Sequence, residues 1–511
     1  MTEKILIFDL GSQYTQLIAR RVREQRVYSE IVPFSTRARD VKGVKGIILS
    51  GGPASVYEHD APTIDKEIFS LGVPVLGICY GLQLGAELLG GKVTGSPERE
   101  FGRTTCEFDT DCDLFSGLPK TSVVWMSHGD RVENAPGEFR SIASTGSTAQ
   151  AALAHKNGRF FGVQFHPEVA HTEQGSAIVG NFLKRICGCK GDWNLTGFIE
   201  SSTRDIRSQV GETGQVICGL SGGIDSAVVA LLVDKAIGAR LTCIFVDNGL
   251  LREGEVESVE AAFRPRFGDR LKVVRASERF LEQLRGVTDP EKKRKVIGHE
   301  FVAVFKDAAR GVANARFLAQ GTLYPDVIES QAAHGGPTAT IKTHHNVGGL
   351  PKELGFALVE PLRLLFKDEV REIARELGLP REIVRRQPFP GPGLAVRCLG
   401  EVTAPRLSVL RAADAIVQEE FARAGLTERV WQSFAVLLPV KTVGVMGDAR
   451  TYEEVCALRA VDSQDGMTAD WVRVPYDLLQ VIATRIVNEV RGINRVCFDI
   501  TSKPPGTIEW E

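Results

Sequence analysis

The chain has 511 residues, long enough for roughly three domains. Hydrophobic residues make up 43% and charged residues 25%, the balance of a soluble globular protein. Lys and Arg number 62 against 64 Asp and Glu, a net charge of -2 that supplies no global field for nucleic acid, and no apolar run reaches the ~20 residues that span a bilayer.

The opening MTEKILIFDLGSQ enters a strand-like run with no signal-peptide layout. The ten cysteines are scattered, several in apolar runs (Cys218, Cys243, Cys497), as reduced core residues of a cytoplasmic protein are. Cys187 and Cys189 are closely spaced, but no second pair at zinc spacing accompanies them. Neither nucleic acid nor a membrane is an expected partner.

Short apolar runs at Ile5–Phe8, Gly46–Leu49 and Val73–Ile78, with a helical pattern over Ser12–Gln25, predict a parallel α/β sheet. Ser50-Gly51-Gly52-Pro53 follows the second run. Gly77-Ile78-Cys79-Tyr80-Gly81 closes the third, and a helix over Leu82–Leu89 comes next. Glycines two residues to each side of Cys79 are the layout of a nucleophile elbow with cysteine at its apex. A helix N-terminus favours the thiolate. The plain alternative is a buried apolar cysteine. Residues 160–168, FFGVQFHPE, read as a strand leading to His166 and Glu168. In an extended chain these two project to the same side, and Pro167 biases His166 toward that conformation. Glu168 can then take one imidazole N–H while the other nitrogen faces Cys79. A helix over Gln174–Arg185 brings the first domain to its expected end at residue 189.

A helical stretch, Asn194–Gln209, precedes the strand Val216–Leu220, which empties into Ser221-Gly222-Gly223-Ile224-Asp225-Ser226 and a helix over Ala227–Ala236. Strand, glycine loop and helix N-terminus build an anion cradle from backbone N–H groups. Asp225 is a carboxylate able to hold Mg²⁺ on a phosphate tail. No stretch supplies the Walker pattern with its lysine. Strands at Leu241–Val246 and Phe317–Thr322 end in Asp247-Asn248-Gly249 and YPDVIES, where ligands sit in open parallel sheets. Residues 289–310 read as a basic helix, and 331–349 as a long glycine-punctuated loop, a candidate lid, holding Lys342 and His344. Lys367, at the start of a further helix, is placed to reach phosphates in lieu of the Walker lysine.

The segment Arg385–Arg397 (RRQPFPGPGLAVR) reads as a hinge, and the second expected boundary falls at 386/387. Beyond it come a helix (Arg406–Arg423), strands near Val430–Pro439, Lys441–Met446 and Val455–Asp462, a helix (Tyr476–Val490) and a strand (Arg495–Ile500). The tail TSKPPGTIEWE reads as docked. The expected fold is thus α/β: two doubly wound α/β domains, 1–189 and 190–386, and a small α+β unit, 387–511.

GICYGLQ with VQFHPE resembles the class I glutamine amidotransferases, and SGGIDS resembles the PP-loop of the N-type ATP pyrophosphatases. The first resemblance implies a Cys79, His166, Glu168 triad releasing ammonia from glutamine. It also implies an oxyanion hole from Gly51, Gly52 and the backbone at Tyr80, and glutamine contacts from Gln83, Ser127, His128, Gly129 and Asp130. The second implies ATP cleaved between α- and β-phosphates, with Ser221 to Ser226 as its grip. Together with GSQYTQLIARRVRE (11–24), IKTHHNVGGLP (341–351), QPFPGPGLAVR (387–397) and KPPGTIEWE (503–511), these stretches resemble the glutamine-hydrolysing GMP synthetase family over essentially the whole length. That resemblance implies xanthosine 5′-monophosphate (XMP) as acceptor, contacts from Lys342, His344, Arg397, Lys503 and Glu509, and a homodimer through the C-terminal unit. The rival expectations are another glutamine-dependent PP-loop ligase, acting on deamido-NAD or a tRNA base, and a non-catalytic interaction protein.

Overall fold

The computed structural model describes residues 3–332, 355–446, 449–463, 466 and 468–511. Lys342, His344 and most of the 331–349 loop lie outside the described residues. By their contacts, residues 3–197 and 328–332 group into one compact unit, and 198–327 and 355–511 into another.

The first unit is built on nine strands: β1 (Lys4–Asp9), β2 (Tyr28–Pro33), β3 (Gly46–Leu49), β4 (Val75–Ile78), β5 (Lys92–Phe108), β6 (Thr121–Asn134), β7 (Phe139–Ser144), β8 (Ala152–His155) and β9 (Phe160–Val163). They run in the order β2-β1-β3-β4-β9-β8-β7-β5-β6. The first five are parallel and the rest antiparallel. β3, β4 and β9 are buried at every residue, which is why they read as unbroken apolar runs. Phe8, Leu49, Leu82 and Phe160 belong to the core on one face of that sheet. The helix Thr15–Glu24 buries Ile18, Ala19 and Val22 at helical spacing. It begins three residues later than the pattern predicts, because the Ser12 hydroxyl accepts the Tyr14 N–H and makes a turn there. The antiparallel strands β5 to β8 were not anticipated, although Ser127 to Asp130, expected to contact glutamine, lie on β6.

In the second unit, β10 (Gln215–Leu220), β11 (Leu241–Asp247), β12 (Leu271–Arg275), β13 (Ala315–Ala319) and β14 (Ala357–Val359) form an all-parallel sheet in the order β12-β11-β10-β13-β14. The order reverses at β10, so a crevice opens beyond the carboxyl ends of β10 and β13. A four-stranded sheet follows: β15 (Gln432–Met446), β16 (Ala449–Asp462), β17 (Asp470–Trp471) and β18 (Ile493–Asp499), with β16 against the other three. The two strands expected at 430–446 are one strand. Its ladder slips between Leu438 and Lys441, at Pro439, which has no N–H to give. One core runs through both sheets, from Ile217 and Phe305 to Leu394, Leu437 and Ile486. The C-terminal tail is docked: Arg459, buried beneath it, donates to the carbonyls of Thr501, Thr507 and Ile508. No helix among the described residues is long and apolar enough to cross a membrane.

Candidate active sites

Cys79 stands between β4 and the helix Tyr80–Leu88 with φ 51° and ψ -106°, a conformation that costs a non-glycine residue about 1–3 kcal/mol. Its neighbours must be glycine. A Cβ on Gly77 would meet Gly81 O at 2.5 Å, and one on Gly81 would meet Leu49 O at 2.4 Å. The helix therefore starts at Tyr80, two residues before the predicted Leu82, and the Tyr80 N–H has no acceptor within its helix.

His166 lies three residues past β9, after a bend at Gln164 and Phe165, with its N–H on Trp125 O at 3.0 Å and its carbonyl taking the Thr172 hydroxyl at 2.6 Å. Its Nδ1 lies 2.7 Å from Glu168 Oε1, and both side chains are buried. Tyr14 packs edge-on against the imidazole, with centroids 5.3 Å apart. Burial opposes a charged imidazole here. The Glu168 charge and hydrogen bonds with Cys79 and Glu168 outweigh it and hold His166 well above its ordinary value. Glu168 Oε2 is buried without a partner. The thiol, imidazole and carboxylate expected to act together are therefore in one place, with Pro167 and Glu168 in a turn rather than the extended chain that the HPE spacing predicts.

The remaining residues expected on the glutamine side divide into two groups. Gly51 and Gly52 line the elbow: a Cβ on Gly51 would come within 3.3 Å of His166 Cε1, and one on Gly52 within 2.6 Å of Leu10 O. Ser127 O lies 3.7 Å from Cys79 Sγ. The Tyr80 phenol, by contrast, is spent on Pro62 O at 2.7 Å, and burial with the Glu58 charge pushes it up to about 12. That leaves only its backbone to the site. Gln83 and His128 are buried among protein partners, and Asp130 Oδ1 takes the Tyr57 hydroxyl at 3.0 Å. Gln164, which sequence reasoning passed over, reaches Cys79 Sγ with its Nε2 at 3.6 Å. Its place two residues before His166 was the available signal.

In the second unit, β10 delivers Ser221 to the crevice. Gly222 turns the chain at φ 72°, and Gly223 caps the helix Ile224–Ile237. Ser226 Oγ receives the Ser221 N–H at 3.1 Å and lies 3.0 Å from the Ser221 hydroxyl, bracing the loop from inside. Asp225 projects from the first turn, with Oδ2 2.5 Å from Lys367 Nζ and Oδ1 buried without a partner among the described residues. Lys367 opens the helix Lys367–Glu376, so the lysine expected at the phosphates does stand over the loop. Arg386 was not foreseen. Its Nη1 donates to Gly222 O at 2.7 Å, and its Nη2 pairs with buried Glu255. Asp247-Asn248-Gly249 follows β11 with Gly249 at φ 73°. YPDVIES is the start of the helix Tyr324–Ala332, with Asp326 accepting the Leu323 N–H at 2.9 Å.

Three residues expected to meet XMP fall in the described C-terminal region. Arg397 is wholly buried, doubly bonded to Glu509 at 2.8 and 3.0 Å and stacked over Phe434 at 3.9 Å. Its Nη1 has no acceptor among the described residues. Lys503 donates to Gly466 O at 2.7 Å.

Residues 6–186 match the family described as glutamine amidotransferase class-I, 198–274 that of NAD synthase, and 419–510 the GMP synthase C terminal domain. A glutamine-hydrolysing GMP synthase of Brachyspira hyodysenteriae is 57% identical over 511 residues, covering 100% of this chain and 99% of the relative. One of Caldanaerobacter subterraneus is 56% identical with the same coverage, and one of Caldicellulosiruptor saccharolyticus 56% over 512 residues. The chain belongs to the family of glutamine-hydrolysing GMP synthases.

Proposed function

We propose that this chain makes GMP from XMP, with glutamine as nitrogen donor and ATP as activator, and that its two sites divide the reaction. It is a C–N ligase. What carries the reading is identity of 57% along the whole chain, supported by the Cys79 thiol, His166 imidazole and Glu168 carboxylate lying together.

At the first site Cys79 gives its proton to His166 and its sulfur attacks the amide carbon of glutamine. The Tyr80 and Gly52 N–H groups are the donors for the oxyanion that forms. Collapse expels ammonia, protonated by the imidazolium, and leaves a thioester on Cys79. Water, deprotonated by His166, then releases glutamate. Glu168 keeps the ring's Nε2 turned to the sulfur and stabilises its charge.

At the second site the N–H groups of residues 221–226 and Lys367 grip the β- and γ-phosphates. The C2 oxygen of XMP attacks the α-phosphorus and pyrophosphate leaves. Ammonia adds at C2 and AMP departs, giving GMP. Mg²⁺ fits beside Asp225, whose buried Oδ1 is an oxygen donor with no partner. Bound there with phosphate oxygens, it would neutralise charge on the pyrophosphate. Arg397 Nη1 is a donor for XMP left unspent among the described residues, with Lys503 and Glu509 from the C-terminal tail and Lys342 and His344 from the segment outside the described residues.

We assign glutaminase function to 1–189, ATP pyrophosphatase function to 190–386, and dimerisation with XMP contact to 387–511, in a cytoplasmic homodimer. The dimer reading is supported by Val443, Val445 and Tyr452, which leave apolar surface exposed on the β15–β16 hairpin. Deamido-NAD and tRNA bases are not favoured as acceptors, since the NAD synthase match stops at residue 274 while the GMP synthase relatives cover the whole chain.

The deciding assay mixes the protein with XMP, Mg-ATP and glutamine and follows GMP, AMP and pyrophosphate. Appearance of ADP and phosphate in their place would overturn the reading.

A further inference from the structure

A buried chain of hydrogen bonds that the triad does not use leads away from the nucleophile. Gln164, almost wholly buried, donates from Nε2 to Cys79 Sγ at 3.6 Å. Its Oε1 accepts from Gln83 Nε2 at 3.1 Å, and the same nitrogen of Gln83 donates to Asp130 O at 2.9 Å. His128 Nδ1 also lies 2.9 Å from that carbonyl, and its Nε2 is 3.2 Å from Glu100 Oε2. Glu100 in turn takes the hydroxyls of Thr145 and Thr148 at 2.9 and 2.7 Å. Each link dictates the next. A peptide carbonyl only accepts, so Asp130 fixes which end of the Gln83 amide is nitrogen. Gln83 then fixes which end of Gln164 is oxygen, and the NH₂ of Gln164 must face the sulfur.

We propose that Gln164 is a positioning residue for the glutaminase nucleophile, its locked amide holding the Cys79 sulfur in place and favouring its anionic form; this rests on the reading of Cys79 as nucleophile. As a thiol, Cys79 donates to Ser127 O at 3.7 Å. When the S–H bond breaks, the proton goes to His166 Nε2 and the electron pair stays on sulfur. The Ser127 carbonyl then loses the thiol proton and turns its negative end to the new charge. The Gln164 N–H offsets that repulsion, because a donor to the charged form favours it, the more so where water is excluded. Gln164 and His166 both reach the Cys79 sulfur from the bend that follows β9. Gln83 and His128, expected to hold glutamine, also belong to the chain that orients the donor addressing the nucleophile.

The test compares the full-length protein with Gln164→Glu, Gln164→Leu and Cys79→Ala. The readouts are the rate of Cys79 alkylation by iodoacetamide against pH, mapped by peptide mass spectrometry, and glutaminase kcat and KM. Both Gln164 variants are expected to alkylate about tenfold more slowly near neutrality, the worth of one hydrogen bond to a charged group. Their alkylation profiles move to higher pH, and kcat falls by a like factor while KM changes little. Should Gln164→Leu fail to fold, the near-isosteric Gln164→Glu decides alone. Folded variants with the wild-type alkylation rate and profile would overturn the proposal. Glutaminase activity surviving in Cys79→Ala would instead overturn the reading beneath it.

Discussion

Lys367 Nζ lies 2.5 Å from Asp225 Oδ2, so the cation opening one helix rests on the carboxylate in the first turn of another. Both side chains are roughly one-third exposed, 39% and 30%, and a pair so placed adds little to stability. Its significance is chemical: one positive and one negative group stand together over a loop of N–H donors. Asp225→Ala is expected to abolish GMP formation from glutamine and from added ammonium alike, since activation of XMP precedes either nitrogen source. Lys367→Ala should raise the KM for ATP about tenfold, the loss of one charged contact. Neither change should move the melting temperature much. Pyrophosphate release, followed with each nitrogen source, checks both. Ammonium-dependent synthesis surviving in Asp225→Ala would remove that residue from ATP activation.

The two chemistries are separable at Cys79. The Cys79→Ala protein should lose glutamine-dependent synthesis and keep the ammonium-dependent rate, because its change lies wholly within the glutaminase. The substitution also removes a non-glycine side chain's γ atom from a strained backbone without relieving the strain, since alanine meets the same φ of 51°. Stability should therefore be little altered. Loss of both activities together would show that the sites are not independent.

The legible parts of this chain were those where backbone geometry forces residue choice. The elbow glycines had to be glycine, with carbonyls 2.5 and 2.4 Å from any added Cβ, and so they announced Cys79. The parallel strands β3, β4 and β9 declared themselves as unbroken apolar runs, buried at every residue. His166 and Glu168 were found by their spacing. What stayed hidden depends on contacts between distant segments. Nothing local to Gln164 shows that Gln83, 81 residues away, orients its amide. Nothing near Arg386 shows that it holds the Gly222 carbonyl 164 residues earlier. The antiparallel strands β5 to β8 were missed because their pairing joins segments far apart in the chain.

Arg397 and Glu509 offer a case where a binding role and a structural role can be told apart. Arg397 is wholly buried, and Glu509 takes two of its donors. Removing the carboxylate strands a buried guanidinium, so Glu509→Ala should destabilise the protein by roughly 3–5 kcal/mol. Denaturant unfolding would measure this. A binding role for the free Nη1 predicts more: in Arg397→Met, which fills the space without charge, the KM for XMP should rise while the KM for ATP stays near wild type. Equal changes in both would leave the pair a structural clamp only.

The His166–Glu168 pair sets a pH dependence whose sign follows from its causes. Burial alone would drive the proton off the imidazole, but the Glu168 charge and the hydrogen bonds hold it on well above the ordinary value. Because the folded value is raised, the stabilisation this proton brings is complete below the unfolded value of about 6.5 and is lost as pH climbs through the folded one. Glu168→Gln removes the charge and leaves the burial, so the imidazolium gives up its proton at lower pH. The alkaline limb of glutaminase kcat/KM should move down in pH. At the optimum kcat should drop on the order of 10²–10⁴-fold, as when the orienting carboxylate of a triad is neutralised. The stability gap between the wild type and the variant should be widest at acid to neutral pH and close as pH rises through the wild-type His166 value. Melting temperatures across that range, beside the rate profile, would test both halves. A gap that widened with pH would mean that Glu168 stabilises something other than the imidazolium.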